Sequence, residues 1–151
     1  MKKDKKIGLI CAQGGHLVEI LQLLEAFEGY PRFFITYDEQ ATFNLKDAYR
    51  LANFAKRPFS LMTAVLKLFY IFSKERPTIL FSTGAEIAIL PFYIGKFFFR
   101  TKLIYLECSA QVCQPSLTGR LVYPITDFFL VQWEPLLRRY GPRARYAGGL
   151  I

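Results

Sequence analysis

The histidine of this chain, His16, directly follows Gly14 and Gly15, and Glu19 comes one helical turn later. An apolar run over residues 7–12 precedes the glycines, and a helical pattern follows them. Glycine permits positive φ, and the first turn of a helix leaves backbone N–H groups free at the positive end of its dipole. The segment therefore predicts an anion-binding turn that carries an imidazole able to accept a proton. A plain strand-to-helix turn with an exposed histidine is the alternative.

Polar residues also follow two other apolar runs. Thr83 and Gly84 come just after TILF, while Glu107 ends the run LIYL and Ser109 lies two residues beyond it. We expect Thr83 and Gly84 to bind a phosphate or a sugar hydroxyl, to cap a helix, or both. Glu107 is a candidate general base or acceptor for sugar hydroxyls, and a capping or ion-paired glutamate is the alternative.

A nucleotide-binding site is a rival interpretation of the first turn. Asp38 lies about 20 residues beyond the glycines, as a ribose-binding acid would. The G-x-G-x-x-G pattern is incomplete, however, because Gln13 precedes the glycine pair and Val18 follows it without a third glycine. A stand-alone nucleotide-binding enzyme that uses Asp38 stays open as a less favoured alternative.

The elements that must position these residues alternate between apolar runs and segments of helical period. This pattern predicts an α/β fold in one domain over residues 1–151, with a Rossmann-like parallel sheet and helices on both faces. Predicted strands cover residues 7–12, 32–37, 49–54, 78–82, 103–107 and 128–131, and predicted helices cover residues 15–27, 59–74, 85–100, 118–123 and 134–140. Because parallel strands end at the same edge of a sheet, the candidate residues should converge there.

The composition favours an anionic surface as a partner. The chain has a formal net charge of +8 at pH 7 and is 52% hydrophobic and 17% aromatic. No predicted helix presents a polar face for reading bases, so we expect contact with an anionic membrane and none with nucleic acid. The predicted membrane-contact residues lie in one basic, aromatic segment: Phe92, Tyr93, Lys96, Phe97, Phe98, Phe99, Arg100 and Lys102.

The cysteine usage and the hydropathy predict a location. Cys11, Cys108 and Cys113 lack metal-ligand spacing, and nothing resembles a secretory signal, so we expect reduced thiols and no metal. No apolar run reaches the length of about 20 residues that crossing a bilayer takes. We therefore expect a peripheral protein on the cytoplasmic face of the membrane, without a transmembrane helix.

Four blocks of the chain together resemble the Alg14 family, which includes bacterial capsule and exopolysaccharide proteins of the PssD and CpsF type. The blocks are CAQGGHLVEILQL, STGAEIAILPF, YLECSAQVCQPSLTGRLVYPITDFFLVQW and YAGGLI, in that order along essentially the whole chain. The resemblance implies the N-terminal, acceptor-side half of a GT-B glycosyltransferase, made as a separate polypeptide.

The resemblance also implies partners and site residues. An Alg13-like subunit of the PssE or CpsG type is expected to bind the nucleotide-sugar donor, a UDP-sugar, so that this chain holds no cofactor itself. The expected acceptor is a saccharide linked to polyprenyl diphosphate, on the route to lipid-linked oligosaccharide and surface polysaccharide. The family motifs fall on His16 and Glu107 as catalytic candidates and on Gly14, Gly15, Glu19, Thr83, Gly84 and Ser109 as acceptor-binding candidates.

Two functions are therefore weighed beside the nucleotide-binding alternative. The favoured one is a membrane-associated accessory subunit of a two-component glycosyltransferase, inactive alone, in which His16 or Glu107 takes the proton of the attacking hydroxyl. The other is a non-catalytic membrane scaffold that docks and activates the donor-binding subunit. The predicted partner interface comprises Trp133, Gly149, Leu150 and Ile151, since the short apolar tail has no evident contact within its own domain.

Overall fold

The structure, a computed structural model, describes residues 5–40, 44–54, 58–146 and 148–150. Within these residues, seven parallel strands form one sheet in the order β3-β2-β1-β4-β5-β6-β7. The strands are β1 Ile7–Ile10, β2 Arg32–Tyr37, β3 Ala48–Leu51, β4 Ile79–Ser82, β5 Lys102–Leu106, β6 Phe128–Val131 and β7 Ala144–Tyr146. The helices are α1 Gly15–Gln22, α2 Leu61–Glu75, α3 Ile89–Phe98, α4 Leu117–Val122 and α5 Pro135–Tyr140. This architecture confirms the predicted fold class.

Alternation along the strands divides the core between the two faces of the sheet. In β1, Ile10 joins a large cluster, whereas Ile7 and Leu9 join a smaller one on the opposite face. The large cluster includes buried residues of α2, α3, α4 and α5, and the small cluster includes Leu17 and Ile20 of α1. Among the described helices, α2 to α5 thus lie on one face of the sheet and α1 lies on the other.

The strand order reverses beside β1, which pairs with β2 on one side and with β4 on the other. In an open parallel sheet such a reversal separates the loops that follow the two central strands and leaves a crevice at the carboxyl edge. The loop after β1 contains His16, and the loop after β4 contains Thr83. Asp38, the acid of the nucleotide-binding alternative, is exposed just after β2.

Element boundaries differ from the predictions where the backbone departs from helical geometry. The helix predicted over 85–100 starts late, because Ala85 has φ +65° and only a 3₁₀ turn, Glu86–Ala88, precedes α3. The helix predicted over 15–27 ends as α1 at Gln22, and a 3₁₀ turn, Leu24–Phe27, follows. The strand β7 was not predicted, since it has only three residues and two of them are exposed.

In the described parts of the chain, no helix is both long enough and apolar enough to cross a membrane.

Candidate functional site

Two backbone carbonyls and two side chains join the loops at the crevice. Gly14, with φ +84°, precedes α1 and sets His16 in its first turn. His16 Nδ1 lies 2.9 Å from the carbonyl oxygen of Thr83, and Thr83 Oγ1 donates to the carbonyl oxygen of His16 at 2.8 Å. Because a carbonyl oxygen can only accept, Nδ1 of the neutral ring carries the proton. The other nitrogen, Nε2, is then left with a lone pair that can accept a proton.

Gly84 lets the second loop approach the imidazole closely. Its φ is +118°, and a Cβ at this position would lie 2.9 Å from His16 Cε1 and 3.1 Å from Nδ1. Ala85 then adopts φ +65° and ψ 157°, a conformation that costs a non-glycine residue about 1–3 kcal/mol. The loop after β4 is therefore shaped around the ring of His16.

Glu19 is buried beside His16. Its side chain is 5% exposed, and Oε1 accepts from the backbone N–H of Ser109 at 2.8 Å and from Nε2 of Gln132 at 3.3 Å. Among the described residues, Oε2 has no hydrogen-bond partner. Glu19 thus ties α1, the helix of His16, to the loop after β5.

Glu107 is enclosed completely. Its exposed fraction is 0%, Oε1 accepts from the backbone N–H of Cys108 at 3.1 Å, and Oε2 accepts from the Ser116 hydroxyl at 3.0 Å and from Tyr140. Burial and the Glu107 charge raise the pKa of both Tyr105 and Tyr140. Of the two catalytic candidates, the geometry therefore favours His16, and Glu107 holds the loop after β5 against α4 and α5.

Gln132 links this network to the end of the described chain. Its Nε2 donates to the carbonyl oxygen of Glu107 at 3.1 Å as well as to Glu19, and its Oε1 accepts from the N–H of Leu150 at 2.9 Å. Trp133 Nε1 donates to the carbonyl oxygen of Ser109 at 2.7 Å. Polar side chains from β6 onwards thus support the loops of the site.

The expectation that the tail lacks a contact in its own domain is wrong. Leu150 packs against the smaller core cluster, because apolar residues of the sheet are left partly open on that face. Gly149 is exposed, and Ile151 lies outside the described residues.

The sequence missed Gln132, Ser116 and Tyr140 as members of the network. Gln132 directly follows β6, so the rule that finds Thr83 after β4 also applies to it. Ser116 N-caps α4 by accepting from Gly119 at 2.8 Å, which its position before a helix signals. Nothing local to Tyr140 indicates that it reaches Glu107.

The predicted membrane segment divides into buried and exposed parts. The prediction that Phe92 contacts the membrane is wrong, since Phe92 is 0% exposed and belongs to the core. Phe99 is partly buried against Phe69 and Phe72, and Lys96 pairs with Asp127 at 2.8 Å. The remaining residues, Tyr93, Phe97, Phe98, Arg100 and Lys102, are exposed.

The fold and the site define a Rossmann-like α/β domain of the GT-B type, with its crevice at the carboxyl edge of the sheet. Crystalline MurG from Acinetobacter baumannii is similar with a TM-score of 0.77 and 12% identity, over 97% of this chain and 46% of that one. The UDP-GlcNAc 2-epimerase from Methanocaldococcus jannaschii is similar with a TM-score of 0.73 and 11% identity, over 95% of this chain and 45% of that one. At these identities the likeness concerns the fold.

Residues 51–150 match the family described as "Oligosaccharide biosynthesis protein Alg14 like", and the chain belongs to this family. It is 39% identical over 84 residues to the "UDP-N-acetylglucosamine transferase subunit ALG14" of Candida albicans, covering 52% of this chain and 37% of that protein. The namesake from Saccharomyces cerevisiae is 41% identical over 49 residues, covering 32% of this chain and 21% of that protein. The matches therefore span well under half the length of these relatives.

Proposed function

We propose that this chain is the acceptor-side accessory subunit of a two-component glycosyltransferase. Its membership of the Alg14-like family supports this function, and so do the names of its relatives, which are subunits of a UDP-N-acetylglucosamine transferase. The observation that carries the proposal is the contact between His16 Nδ1 and the carbonyl oxygen of Thr83 at 2.9 Å. Because Nδ1–H donates to Thr83, the lone pair of Nε2 is free at the edge of the sheet where ligands of open α/β folds bind.

The proposed reaction uses this nitrogen as a general base. The acceptor hydroxyl gives its proton to His16 Nε2 while its oxygen forms a bond to the anomeric carbon of the donor sugar. The bond from that carbon to the nucleoside diphosphate breaks, and the diphosphate leaves with the electron pair. Attack from the face opposite the leaving group inverts the anomeric centre. General base catalysis of this kind contributes roughly 10²- to 10⁴-fold.

The donor and its binding subunit complete the proposal. Because the relatives are named as UDP-N-acetylglucosamine transferase subunits, we take a UDP-sugar as the donor and an Alg13-like polypeptide as the subunit that binds it. The acceptor is a saccharide on polyprenyl diphosphate. Its diphosphate would face the backbone N–H groups at the start of α1, where Gly14 and Gly15 leave the approach open.

A lipid-linked acceptor needs a bilayer near the base. The exposed end of α3 lies at the amino edge of the sheet. Because α3 has ten residues, this end is about 15 Å from the carboxyl edge. The start of α2 lies at the carboxyl edge with His16, and Phe59 is 97%, Met62 67% and Leu66 65% exposed there. We therefore place the membrane-facing surface at the start of α2, at the cytoplasmic face of the membrane.

Reconstitution with the donor-binding subunit tests the proposed function. His16→Ala should lower kcat for sugar transfer by roughly 10²- to 10⁴-fold with a much smaller change in KM, because the base acts in the transition state. Gln22→Ala, an exposed change at the other end of α1, is the matched control and should transfer at the normal rate.

The same assay separates the proposal from a non-catalytic scaffold. The scaffold is favoured by the contacts of Trp133 and Leu150, which connect the predicted partner interface to the loops of the site. A scaffold predicts full transfer by the His16→Ala complex and loss of transfer only when subunit association is lost. Full transfer by that variant therefore rejects His16 as the base.

A further inference from the structure

Three metal-ligating side chains meet beside the crevice. A ring nitrogen of His16, a carboxylate oxygen of Glu19 and Sγ of Cys108 all lie within 4.8 Å of one another. His16 and Glu19 are on α1, whereas Cys108 is in the loop after β5. The proposed transfer reaction uses the imidazole of this group and assigns no chemistry to the carboxylate or the thiol.

The carboxylate of Glu19 has the arrangement of a metal ligand. One oxygen, Oε1, is held by Ser109 and Gln132, and the other, Oε2, is buried and lacks a hydrogen-bond partner among the described residues. A buried carboxylate oxygen without a partner is costly, and a cation would satisfy it. Hydrogen bonds to the non-ligating oxygen orient carboxylate ligands in metal sites.

The thiol of Cys108 supplies a softer donor. Its Sγ lies within 4.8 Å of the ring nitrogen of His16 and of the carboxylate oxygen of Glu19. A divalent ion bound by thiolate and carboxylate would neutralise both charges. The thiol then loses its proton to solvent as the metal–sulfur bond forms, so binding releases one proton per ion.

We propose that His16, Glu19 and Cys108 bind one Zn²⁺ ion. Imidazole nitrogen, carboxylate oxygen and thiolate sulfur together form a donor set that zinc takes and that Mg²⁺ and Ca²⁺, which prefer oxygen, do not. Three protein ligands leave a fourth position for water or an anion. Because zinc takes the imidazole that the proposed transfer uses as a base, zinc-loaded chain is inhibited in that reaction.

The isolated full chain, stripped of metal with a chelator, tests the site without any transfer assay. Co²⁺ serves as the spectroscopic probe, and Zn²⁺ should then displace it. We expect one Co²⁺ per chain, a thiolate-to-cobalt charge-transfer band, and loss of that band in Cys108→Ser. Cys113→Ser is the matched control, since Cys113 is exposed and lies outside the cluster, and it should keep the band.

Two further measurements make the outcome decisive. Glu19→Gln should weaken zinc binding by at least roughly 10- to 100-fold, and circular dichroism reports whether that variant is folded. The chain has one histidine, so its single imidazole NMR signal must shift on Zn²⁺ addition. Cobalt binding without a thiolate band, a band that survives Cys108→Ser, or a histidine signal unmoved by saturating zinc overturns the proposal, whatever the transfer assay gives.

Discussion

His16 and Thr83 hold each other reciprocally: the imidazole Nδ1 lies 2.9 Å from the Thr83 carbonyl oxygen, and the Thr83 hydroxyl donates to the His16 carbonyl oxygen at 2.8 Å. The two residues are 67 positions apart and follow the neighbouring strands β1 and β4. The pair fixes both the position of the ring and its tautomer. A base oriented in this way needs no rearrangement before it accepts a proton.

Replacing Gly84 by alanine should disturb this pair. The added Cβ meets the imidazole, and alanine would have to adopt the unfavourable φ of +118°. We therefore expect a loss of about 1–3 kcal/mol in unfolding free energy and a shifted histidine NMR signal. Gly141→Ala is the control. Gly141 also has a positive φ of +98°, but a Cβ there would meet only Tyr123 Oη, at an ordinary contact distance of 3.6 Å. It should lose stability and leave the histidine signal in place. Equal signals in the two variants would show that Gly84 serves the backbone alone.

Removing the charge of Glu107 should be costly. Glu107→Gln replaces one accepting oxygen with an amide that faces the donors of Cys108 or of Ser116 and Tyr140. Leaving a buried hydrogen-bonding group unsatisfied costs about 1–3 kcal/mol, which urea denaturation would measure. Glu28→Gln, at an exposed position, should cost almost nothing. A Glu107→Gln chain of normal stability would contradict the positioning role.

Gln132 should control the order of the segment that ends in Leu150. Gln132→Met keeps the volume but removes the acceptor of the Leu150 N–H and the donor to Glu19 and Glu107. We expect about 1–3 kcal/mol of destabilisation and faster hydrogen exchange at the Leu150 amide. Gln22→Met, on the surface of α1, is the control and should leave both the stability and the exchange at Leu150 unchanged. Unchanged exchange at Leu150 would mean that apolar packing alone holds the segment.

Stability should fall in alkali because several buried groups keep their protons in the folded chain. Burial raises the pKa of Cys11 from 9.0 to about 12, and burial together with Glu107 raises the pKa of Tyr105 and of Tyr140. From about pH 9 the unfolded chain loses protons that the folded chain retains, so stability is complete below that pH and declines above it.

The decline of unfolding free energy with pH can be assigned to one group by substitution. Each such group contributes up to about 1.4 kcal/mol per pH unit, so Cys11→Ala should flatten the dependence of unfolding free energy on pH just above pH 9. Cys113→Ala changes an exposed thiol and should leave the slope as it is. Identical slopes for both variants would remove Cys11 from the explanation.

Two exposed apolar surfaces are candidates for membrane contact, and a vesicle assay distinguishes them. Phe59→Ser with Met62→Ser should weaken sedimentation with anionic phospholipid vesicles, since both side chains are exposed at the carboxyl edge with His16. Phe97→Ser with Phe98→Ser removes similar area at the amino edge and should weaken it less. The reverse order would return the contact to the α3 segment first predicted from sequence.

The amino-acid sequence by itself determined the fold class and the edge where the candidate residues gather. Apolar runs alternate with helical periods along the whole chain, and both periods are local properties of the backbone. The glycines before His16 and the polar residues after TILF and LIYL mark strand ends for the same reason. The family likewise followed from local motifs, and the match over residues 51–150 confirms it.

Only the tertiary structure decided what several of these residues contact. Phe92 and Phe97 lie five residues apart in one aromatic segment, yet packing between α3 and the sheet buries the first and leaves the second 64% exposed. Glu19 meets Ser109 from 90 positions away, which also brings Cys108 beside it. Such neighbours depend on how distant elements pack, and a pattern confined to one element carries no information about the element that will cover it.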